Sequence, residues 1–582
     1  MLKKLSVHIR GFEKDAIKAP LFIGIEAVCE LFLPLLMAGI IDDGINGDGG
    51  MAYIWKAGLG MLALSVLSLY CGMTAAKSSA VASQGLGRNL RGEMFSKIQD
   101  FSFADIDRFS SASLITRLTN DVNTIQLTTM MCLRMLVRAP VQLISALVVC
   151  LVMNARLTLV IVVVIPVMCL LLWLIMRSCE KLFTRFQEKI DGLNNTVQEN
   201  LIGIRVVKAF VRANHERAKF KKSNDELRDA GLAAVMRVIL ISPVMMLAMY
   251  ASILGVMWFG GGFVARGELL PGELYAFFSY IVQVLMSVLM VGMCLLMLTR
   301  AVACARRVSE VLEAEPDISD SPDCVSRELP ESRGRVEFKN VNFKYSASGT
   351  GDDVLHGIDL TVEPGQFVAI VGGTGTGKST LVNLIPRFYD VTAGQVLVDG
   401  VDVRDYPLAE LRNRIGMVLQ TNVLFSGTVK ENLLWGRADA TDEELVQAAK
   451  DAQAYDFIQA MPQGFDTWLD QGGVNVSGGQ KQRLCIARAM LRHPAILILD
   501  DSTSAVDSAT EAEIRRSFSE NLKDTTVIII AQRISSVRYA DKIVVLDDDH
   551  IAAEGTHDEL MATCDIYREI YQSQQEGAID NG

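Results

Sequence analysis

The chain has 582 residues, half of them hydrophobic, with a mean hydropathy of +0.28 and a formal net charge of −11. This length predicts two or more domains, and the hydropathy is higher than is usual for a soluble protein of this size. The acidic balance, with a pI of about 5.3, provides no basic face of the kind that nucleic acid requires, so nucleic acid is not an expected partner.

Six long apolar segments occupy the first 300 residues. Each is long enough to cross the hydrocarbon core of a membrane, which takes roughly 20 residues of helix. Only helices can cross singly, because every backbone polar group must be bonded within the segment. The stretch before the first segment is polar and has no cleavage site, so we expect no cleavable signal peptide. The segments are 21–41, 54–75, 136–153, 157–176, 238–259 and 275–298.

The distribution of Lys and Arg predicts the orientation in the membrane. The short loops 42–53, 154–156 and 260–272 hold two arginines in all, whereas the stretches 77–124 and 178–228 on the other side are rich in basic residues. The basic side is expected to be cytosolic. Six spans then place both termini in the cytosol, and a bacterial inner membrane is the expected location.

The two basic stretches show helical spacing of their polar residues, as if the membrane helices continued into the cytosol. We expect a short, turn-flanked helix near 110–120 in the first and near 200–210 in the second; ordinary solvated loops are the alternative. The expected membrane domain is therefore 1–315. A linker with three prolines follows over 316–335. Alternating short apolar runs and helical patterns then predict an α/β domain over 336–582 with a largely parallel sheet.

A glycine-rich motif at 372–379 predicts a phosphate-binding loop. It fits the pattern G-x-x-x-x-G-K-[ST], follows a strand-like apolar run at 367–371, and precedes a helical pattern that begins at Thr380. Glycines let the backbone approach phosphate oxygens, and the helix N-terminus adds a favourable dipole. Lys378 is expected to reach the β- and γ-phosphates of ATP, and Ser379 to bind Mg²⁺. The motif residues are Gly372, Gly373, Thr374, Gly375, Thr376, Gly377, Lys378 and Ser379.

A buried strand that ends in two acids lies about 120 residues further on, over 496–501. Asp500 is expected to hold Mg²⁺ through its water shell, and Asp501 to orient the attacking water. About twenty residues before this strand, Ser477, Gly478, Gly479 and Gln480 follow Val476. This run resembles the signature sequence of ATP-binding cassette (ABC) proteins, and a Ser-Gly-Gly turn that opens a helix is a further anion site.

The resemblance to ABC proteins extends over the whole chain and implies further roles. Tyr345 matches the aromatic residue that stacks on adenine, and Gln420 matches the glutamine that contacts Mg²⁺ and senses the γ-phosphate. Asp507 ends the segment 504–507, which matches the loop at the dimer interface. Six spans followed by one cassette is the layout of half-size ABC exporters. This family implies ATP and Mg²⁺ as cofactors, a second half-transporter as partner, and coupling roles for the two short cytosolic helices.

Two residues depart from the pattern of an active cassette. The acid after Asp500 is usually Glu, but here it is Asp501, which is one methylene shorter. The histidine that usually follows the strand at 526–530 is replaced by Gln532. A third, softer departure is Gln471, in the loop before the signature, where Glu is common. A misplacement of about 1 Å can cost about 10²-fold in rate, and an amide cannot carry positive charge.

Because the signature is intact, we expect a heterodimer in which this chain's own ATP site is degenerate. A homodimer with a slow aspartate-based ATPase is the alternative.

The substrate is only loosely indicated. The last two spans are rich in methionine, which suits a flexible apolar or amphipathic drug site but is equally typical of helix packing. Glu26, Glu30, Arg134 and Arg138 lie within or near spans, where they either pair with one another or contact a charged substrate. An importer of the same fold and an ATP-binding regulatory subunit remain alternatives. A soluble ABC ATPase is excluded by the six spans.

Overall fold

The computed structural model describes residues 6–320, 330–345, 353–501 and 506–579, and it divides into two compact units. The first contains the chain up to residue 98 and residues 114–313. The second contains residues 99–113 and the chain from 314 onward. The second unit therefore includes a short segment from the N-terminal half as well as the predicted α/β domain.

Long helices build the first unit. Two π-helical turns, Ile40–Ile45 and Arg117–Asp121, extend them. Of the helices given below, only α3 lies wholly in the second unit, which also includes Gln99 and residues 111–113. The α-helices of this half of the chain are α1 (Glu13–Gly39), α2 (Gly50–Gln99), α3 (Phe103–Phe109), α4 (Ser111–Thr116), α5 (Val122–Met153), α6 (Ala155–Ile202), α7 (Ile204–Ala209), α8 (Ala213–Val238), α9 (Ile241–Ala265) and α10 (Pro271–Leu312).

Six helical runs within the described residues are long and apolar enough to cross a membrane, and each contains one of the six predicted segments. The prediction of six membrane spans is confirmed. All of the runs extend beyond the predicted apolar segment at one end or both, as expected if the helices continue past the hydrocarbon core. The runs are Glu13–Ile45, Gly50–Gln99, Ser111–Met153, Ala155–Ile202, Ala213–Ala265 and Pro271–Leu312.

Polar side chains fix the helix ends and crossings of this unit. Asn154 is the extended residue between α5 and α6, and its side-chain oxygen accepts a hydrogen bond from the backbone N–H of Leu157 at 3.1 Å. Asp42 accepts from the N–H of Gly272 at 2.6 Å, at the start of α10. Deeper in the bundle, the hydroxyl of the buried Tyr280 donates to the carbonyl of Leu31 at 2.7 Å. The backbone N–H groups at two helix starts and one buried hydroxyl are thereby satisfied inside the protein.

An ion triad joins α1 and α5 within the membrane spans. Arg138 donates to Glu26 at 2.8 Å and to both carboxylate oxygens of Glu30 at 2.7 and 2.8 Å. The internal pairing that the sequence offered as one alternative is confirmed. Charges at this depth are costly unless paired, so the triad ties the two helices together.

The first short helix lies just before the predicted segment near 110–120. It is α3, Phe103–Phe109, whose N-cap Ser102 exchanges side-chain and backbone hydrogen bonds with Asp105. Ser110 then adopts a positive φ of 56°, which ends the helix. The predicted segment near 110–120 holds α4, Ser111–Thr116, which continues into the long run Ser111–Met153. The coupling role of this segment stays a prediction. The second short helix, α7, lies inside the predicted segment 200–210.

Two β-sheets form the frame of the second unit. A six-stranded sheet has the order β12-β11-β3-β10-β9-β6 and is parallel except for β12, and a four-stranded antiparallel sheet has the order β2-β1-β4-β5. The predicted α/β fold with a largely parallel sheet is confirmed. The strands are β1 (Val336–Phe343), β2 (Leu355–Val362), β3 (Phe367–Gly372), β4 (Ala393–Val398), β5 (Val401–Asp402), β6 (Ile415–Val418), β7 (Gly427–Thr428), β8 (Trp468–Leu469), β9 (Ile496–Asp500), β10 (Thr526–Ile530), β11 (Lys542–Asp547) and β12 (His550–Gly555).

Helices cover the parallel sheet. Alternate residues of its central strands pack into two different hydrophobic cores, one on each face. Leu497 and Leu499 of β9 belong to one core cluster, and Ile496 and Ile498 belong to the other. Strands that are buried on both faces read as continuous apolar runs, which is how the sequence shows them. The helices are α11 (Lys378–Asn383), α12 (Leu408–Asn413), α13 (Val429–Leu434), α14 (Asp442–Asp451), α15 (Tyr455–Gln459), α16 (Gly478–Met490), α17 (Ser508–Asn521), α18 (His557–Thr563) and α19 (Asp565–Ile579).

The ion triad of the membrane unit gives a stability prediction. Arg138→Met leaves two carboxylates without their cation, and we expect it to lower the stability of the purified protein in detergent by about 2 to 3 kcal/mol. This is below the range for fully buried pairs because a quarter of the Arg138 side chain is exposed. Thermal unfolding measures the change. Arg266→Met, which removes an exposed pair with Glu268 at 3.6 Å, is the matched control and should cost at most about 1 kcal/mol. Equal effects of the two substitutions would contradict a structural role for the triad.

Candidate nucleotide-binding site

The glycine-rich motif forms a loop between β3 and α11, as predicted. Gly372 has a φ of 154° and Gly377 a φ of 81°, both in the region that favours glycine. A Cβ on Gly372 would lie 2.3 Å from the carbonyl oxygen of Leu546, and one on Gly377 would lie 2.9 Å from the side chain of Leu355. These positions therefore require glycine for two reasons, backbone conformation and lack of space. The loop presents its backbone at the N-terminus of α11, where an anion is stabilised.

Lys378 is the first residue of α11, and its ammonium group folds back over the loop. Its Nζ donates to the carbonyl of Gly372 at 3.0 Å, to the carbonyl of Gly373, and to the hydroxyl of Thr376 at 3.4 Å. Burial lowers the pKa of Lys378, while the nearby carboxylates of Asp500 and Asp501 act in the opposite direction. A cation held by two carbonyl oxygens and a hydroxyl at a glycine loop fits the phosphates of a nucleotide.

Ser379 and Asp500 meet at the ends of their elements. The Ser379 hydroxyl donates to Asp500 Oδ1 at 2.9 Å. Asp500 is the buried last residue of β9, and burial raises its pKa against the lowering effect of the Ser379 hydrogen bond. A hydroxyl and a carboxylate oxygen at this distance beside the phosphate loop form a donor set that suits Mg²⁺. Two of the three residues predicted to bind the metal, Ser379 and Asp500, are therefore in contact.

Asp501 and Gln532 are in direct contact. Gln532 Nε2 donates to Asp501 Oδ2 at 2.7 Å. Asp501 follows β9 with a φ of 49°, and its backbone N–H donates to the carbonyl of Ile530 at 3.2 Å. Burial raises the pKa of the Asp501 carboxyl, whereas the Gln532 hydrogen bond lowers it. The two residues that depart from the family pattern therefore form a single hydrogen-bonded pair next to Asp500.

Tyr345 lies beside the same loop, and an unpredicted residue positions it. Its hydroxyl is 2.9 Å from the hydroxyl of Thr380 in α11. Its ring makes edge-to-face contacts with Phe343 at 4.9 Å and with Tyr389 at 5.2 Å between centroids. The sequence analysis did not name Tyr389. The signal was an aromatic pair, Phe388 and Tyr389, shortly after the phosphate loop.

Gln420 and Asp507, the next two predicted residues, lie at the ends of other elements of the cassette. Gln420 is exposed, two residues beyond the end of β6, which pairs in parallel with β9. Asp507 caps α17 by accepting hydrogen bonds from the backbone N–H and the hydroxyl of Thr510 at 3.0 and 2.8 Å. Residues 504 and 505 of the predicted interface loop lie outside the described residues.

The signature run opens α16. Ser477 is the N-cap: its hydroxyl accepts from the N–H of Gln480 at 3.3 Å, and the Gln480 side chain accepts from the N–H of Ser477 at 2.9 Å. This reciprocal capping box satisfies two helix-end donors. Gly478 occupies the first helical position, is exposed, and is followed by the half-buried Gly479. The helix start is thus ordered by its own side chains and is accessible from outside this cassette.

Comparisons with known proteins agree with both units. The family model for the ABC transporter transmembrane region matches residues 17–288, and the model for the ABC transporter matches residues 355–504. The uncharacterized ABC transporter ATP-binding protein YfiB of Bacillus subtilis is 40% identical over 94% of each chain. An ATP-dependent lipid A-core flippase of Syntrophus aciditrophicus is 35% identical over 84% of this chain and 81% of its own. The structure of a bacterial Atm1-family ABC exporter with ATP bound has a TM-score of 0.80 at 25% identity, over 97% of this chain and 98% of the other.

The loop geometry predicts that Lys378→Ala abolishes tight nucleotide binding without unfolding the chain. The ammonium makes its hydrogen bonds within the phosphate loop, so the fold should survive its removal. A lost charge-assisted contact is worth about 2 to 3 kcal/mol, or roughly 30- to 150-fold in dissociation constant. Titration of the full-length protein with a fluorescent ATP analogue measures this. Lys430→Ala, an exposed lysine paired with Asp442, is the control, and an equal loss there would contradict the assignment.

Proposed function

The chain belongs to the ABC transporter family as a half-size exporter with a transmembrane domain and an ATP-binding domain, and we propose that it is the degenerate-site subunit of a heterodimer. As a multi-pass inner-membrane protein it provides one set of six helices and one cassette. A second half-transporter provides the others. This chain's Walker residues bind MgATP and hydrolyse it little, and its signature completes the partner's competent site.

The contact between Asp501 and Gln532 is the observation that carries this proposal. The shorter carboxylate is hydrogen-bonded to a neutral amide at 2.7 Å. A general base must reach the attacking water within hydrogen-bond distance, and misplacement by about 1 Å can cost about 10²-fold. Gln532 can still bond a γ-phosphate oxygen, but it cannot carry the positive charge that a histidine would bring. Binding is thereby favoured over hydrolysis.

The residues that hold ATP are complete, which supports binding at the same site. The bonds of Lys378 to the loop and of Ser379 to Asp500 suit phosphates and Mg²⁺ and support this proposal. Tyr345 stands beside the loop for the adenine ring. The signature at Ser477–Gln480, which in this family faces the ATP of the opposite subunit, is intact and capped. Both departures therefore fall on the residues that serve this chain's own ATP, as an unequal pair of sites requires.

Export proceeds by alternating access in this proposal. Two ATP molecules close the cassettes head to tail, and the cavity between the two sets of helices turns outward. The short helices α3 and α7 transmit the closure. At the end of α7 the apolar side chains of Val206, Phe210 and Val211 are 60%, 73% and 86% exposed, which suits docking onto another protein surface. We assign that surface to the partner's cassette, with both termini in the cytosol.

The substrate class is hydrophobic or amphipathic: drugs, lipids or peptides. The flippase relative carries lipid A-core in its name, and the methionine-rich last two spans, for example Met245, Met249, Met286 and Met293, provide a flexible polarisable lining. A homodimeric exporter with a slow aspartate-based ATPase is the second candidate, because Asp501 retains a carboxylate at the catalytic position. An ATP-binding regulatory subunit is the third.

ATPase activity of this chain alone and with the half-transporter encoded beside its gene tests the proposal. We expect near-zero activity alone and robust activity in the pair. Asp501→Asn should change the activity of the pair by less than about twofold, whereas removal of the partner's catalytic acid should lower it by about 10²-fold or more. Robust activity of this chain alone that Asp501→Asn abolishes would establish the homodimer instead. ATP-dependent transport by the reconstituted pair would exclude a purely regulatory role.

A further inference from the structure

The C-terminal helix α19 contacts the segment that follows β10 through one side chain. Gln574 Nε2 donates to the backbone carbonyl of Gln532 at 2.7 Å, and Gln574 Oε1 accepts from the backbone N–H of Ile534 at 2.9 Å. Between these partners, Arg533 is extended, with φ −104° and ψ 121°. In extended backbone the carbonyl of one residue and the N–H two residues later point to the same side. The carboxamide of Gln574 therefore bonds this segment as a neighbouring strand would.

The helix that carries Gln574 is anchored in the core of the cassette. Tyr567 is fully buried and its hydroxyl is 2.8 Å from Nδ1 of His557, while Ile570 and Tyr571 pack against the same core cluster. Positions 567, 570, 571 and 574 recur at the spacing of one helix face. Gln574 thus continues the inward face of α19 by one turn and is held by a fixed element.

The other end of the contact reaches the nucleotide site. Gln574 donates to the backbone carbonyl of Gln532, and the side chain of Gln532 in turn donates to Asp501 at 2.7 Å. Ile534, whose N–H Gln574 also holds, is 1% exposed, so the segment is fixed on both sides of Arg533. A continuous series of hydrogen bonds therefore runs from α19 through Gln532 to Asp501, the residue after Asp500.

We propose that Gln574 is a positioning residue that fixes the switch residue Gln532 and thereby sets how strongly this site distinguishes ATP from ADP. The proposal rests on the proposed function in one respect, that Gln532 faces the γ-phosphate of this chain's own ATP. Gln574 bonds the carbonyl of Gln532 and the N–H of Ile534, so the backbone beside Gln532 is fixed. The side chain of Gln532 then keeps one position at the edge of the sheet. Without Gln574 the segment gains freedom, and the contact that only ATP can make is weakened.

Gln574→Met tests this directly, because methionine is nearly the same length, keeps the packing and can make neither hydrogen bond. Gln572→Met, two residues away on the exposed side of α19, is the matched control. In the full-length protein in lipid nanodiscs, hydrogen–deuterium exchange at the Ile534 amide reports the contact itself. Dissociation constants for ATP and ADP report its consequence. We expect about 10-fold faster exchange at Ile534 and about 3- to 10-fold weaker ATP binding, with ADP binding changed by less than about twofold. Gln572→Met should match the unsubstituted protein in exchange at Ile534 and in both dissociation constants.

Gln574→Glu separates the two hydrogen bonds. It keeps the acceptor for the Ile534 N–H and loses the donor to the Gln532 carbonyl, so exchange at Ile534 should stay near that of the unsubstituted protein while ATP binding weakens.

Two results would overturn the proposal. Unchanged exchange at Ile534 in Gln574→Met would mean that the contact does not hold the segment. Faster exchange with equal losses of ATP and ADP affinity, or with none, would mean that Gln574 has only a structural role. Neither readout depends on which subunit hydrolyses ATP, so failure of the heterodimer leaves this test intact.

Discussion

The parallel register of three buried strands is the constraint on which the nucleotide site depends. Ile530 of β10 pairs with Ile370 of β3 on one side and with Asp500 of β9 on the other. Because the carboxyl ends of parallel strands lie at one edge, this row brings together the glycine loop after β3, the two acids at the end of β9, and Gln532 after β10. Loops at such an edge are where open α/β sheets bind their ligands. The contacts Ser379–Asp500 and Gln532–Asp501 follow from that register.

Much of this arrangement could be predicted from the sequence because the decisive signals are local. The strand at 526–530 has the predicted bounds, and the one predicted at 496–501 ends one residue earlier, at Asp500. Continuous apolar runs between polar turns are typical of strands buried on both faces. The glycine loop was readable because its glycines are forced by backbone conformation and by space. The six spans were readable because membrane crossing demands long apolar helices.

Other features depend on contacts between distant segments, and the sequence could not show them. The position of α3 is set by the Ser102–Asp105 capping box and the positive φ of Ser110, and composition alone pointed to the residues that follow. Arg138 had several possible partners, and only the packing of α1 against α5 gives it both Glu26 and Glu30. Tyr389 and Gln574 belong to none of the motifs, and their roles arise from what they touch. Side chains that position a site are harder to find by pattern than those within it, because their spacing along the chain carries no fixed signature.

Together these features support the proposal of a cassette that holds a nucleotide more than it cleaves it. In that proposal Lys378, Ser379 and Asp500 hold the phosphates and the metal. The shorter carboxylate of Asp501 is bonded to the neutral amide of Gln532, and Gln574 of the C-terminal helix bonds the Gln532 backbone. Such a site would keep ATP bound while the partner's site turns over, so that the two cassettes need not separate fully in each cycle.

The fate of the nucleotide at each site of the purified pair during turnover tests this account most directly. A photoreactive ATP analogue, labelled in separate samples at the α- or the γ-phosphate, would be crosslinked during steady-state hydrolysis and assigned to each chain after separation. The account predicts that this chain retains both labels, because its ATP stays intact, while the partner retains the α label alone. Loss of the γ label from this chain to the same extent as from the partner would show two competent sites and contradict it.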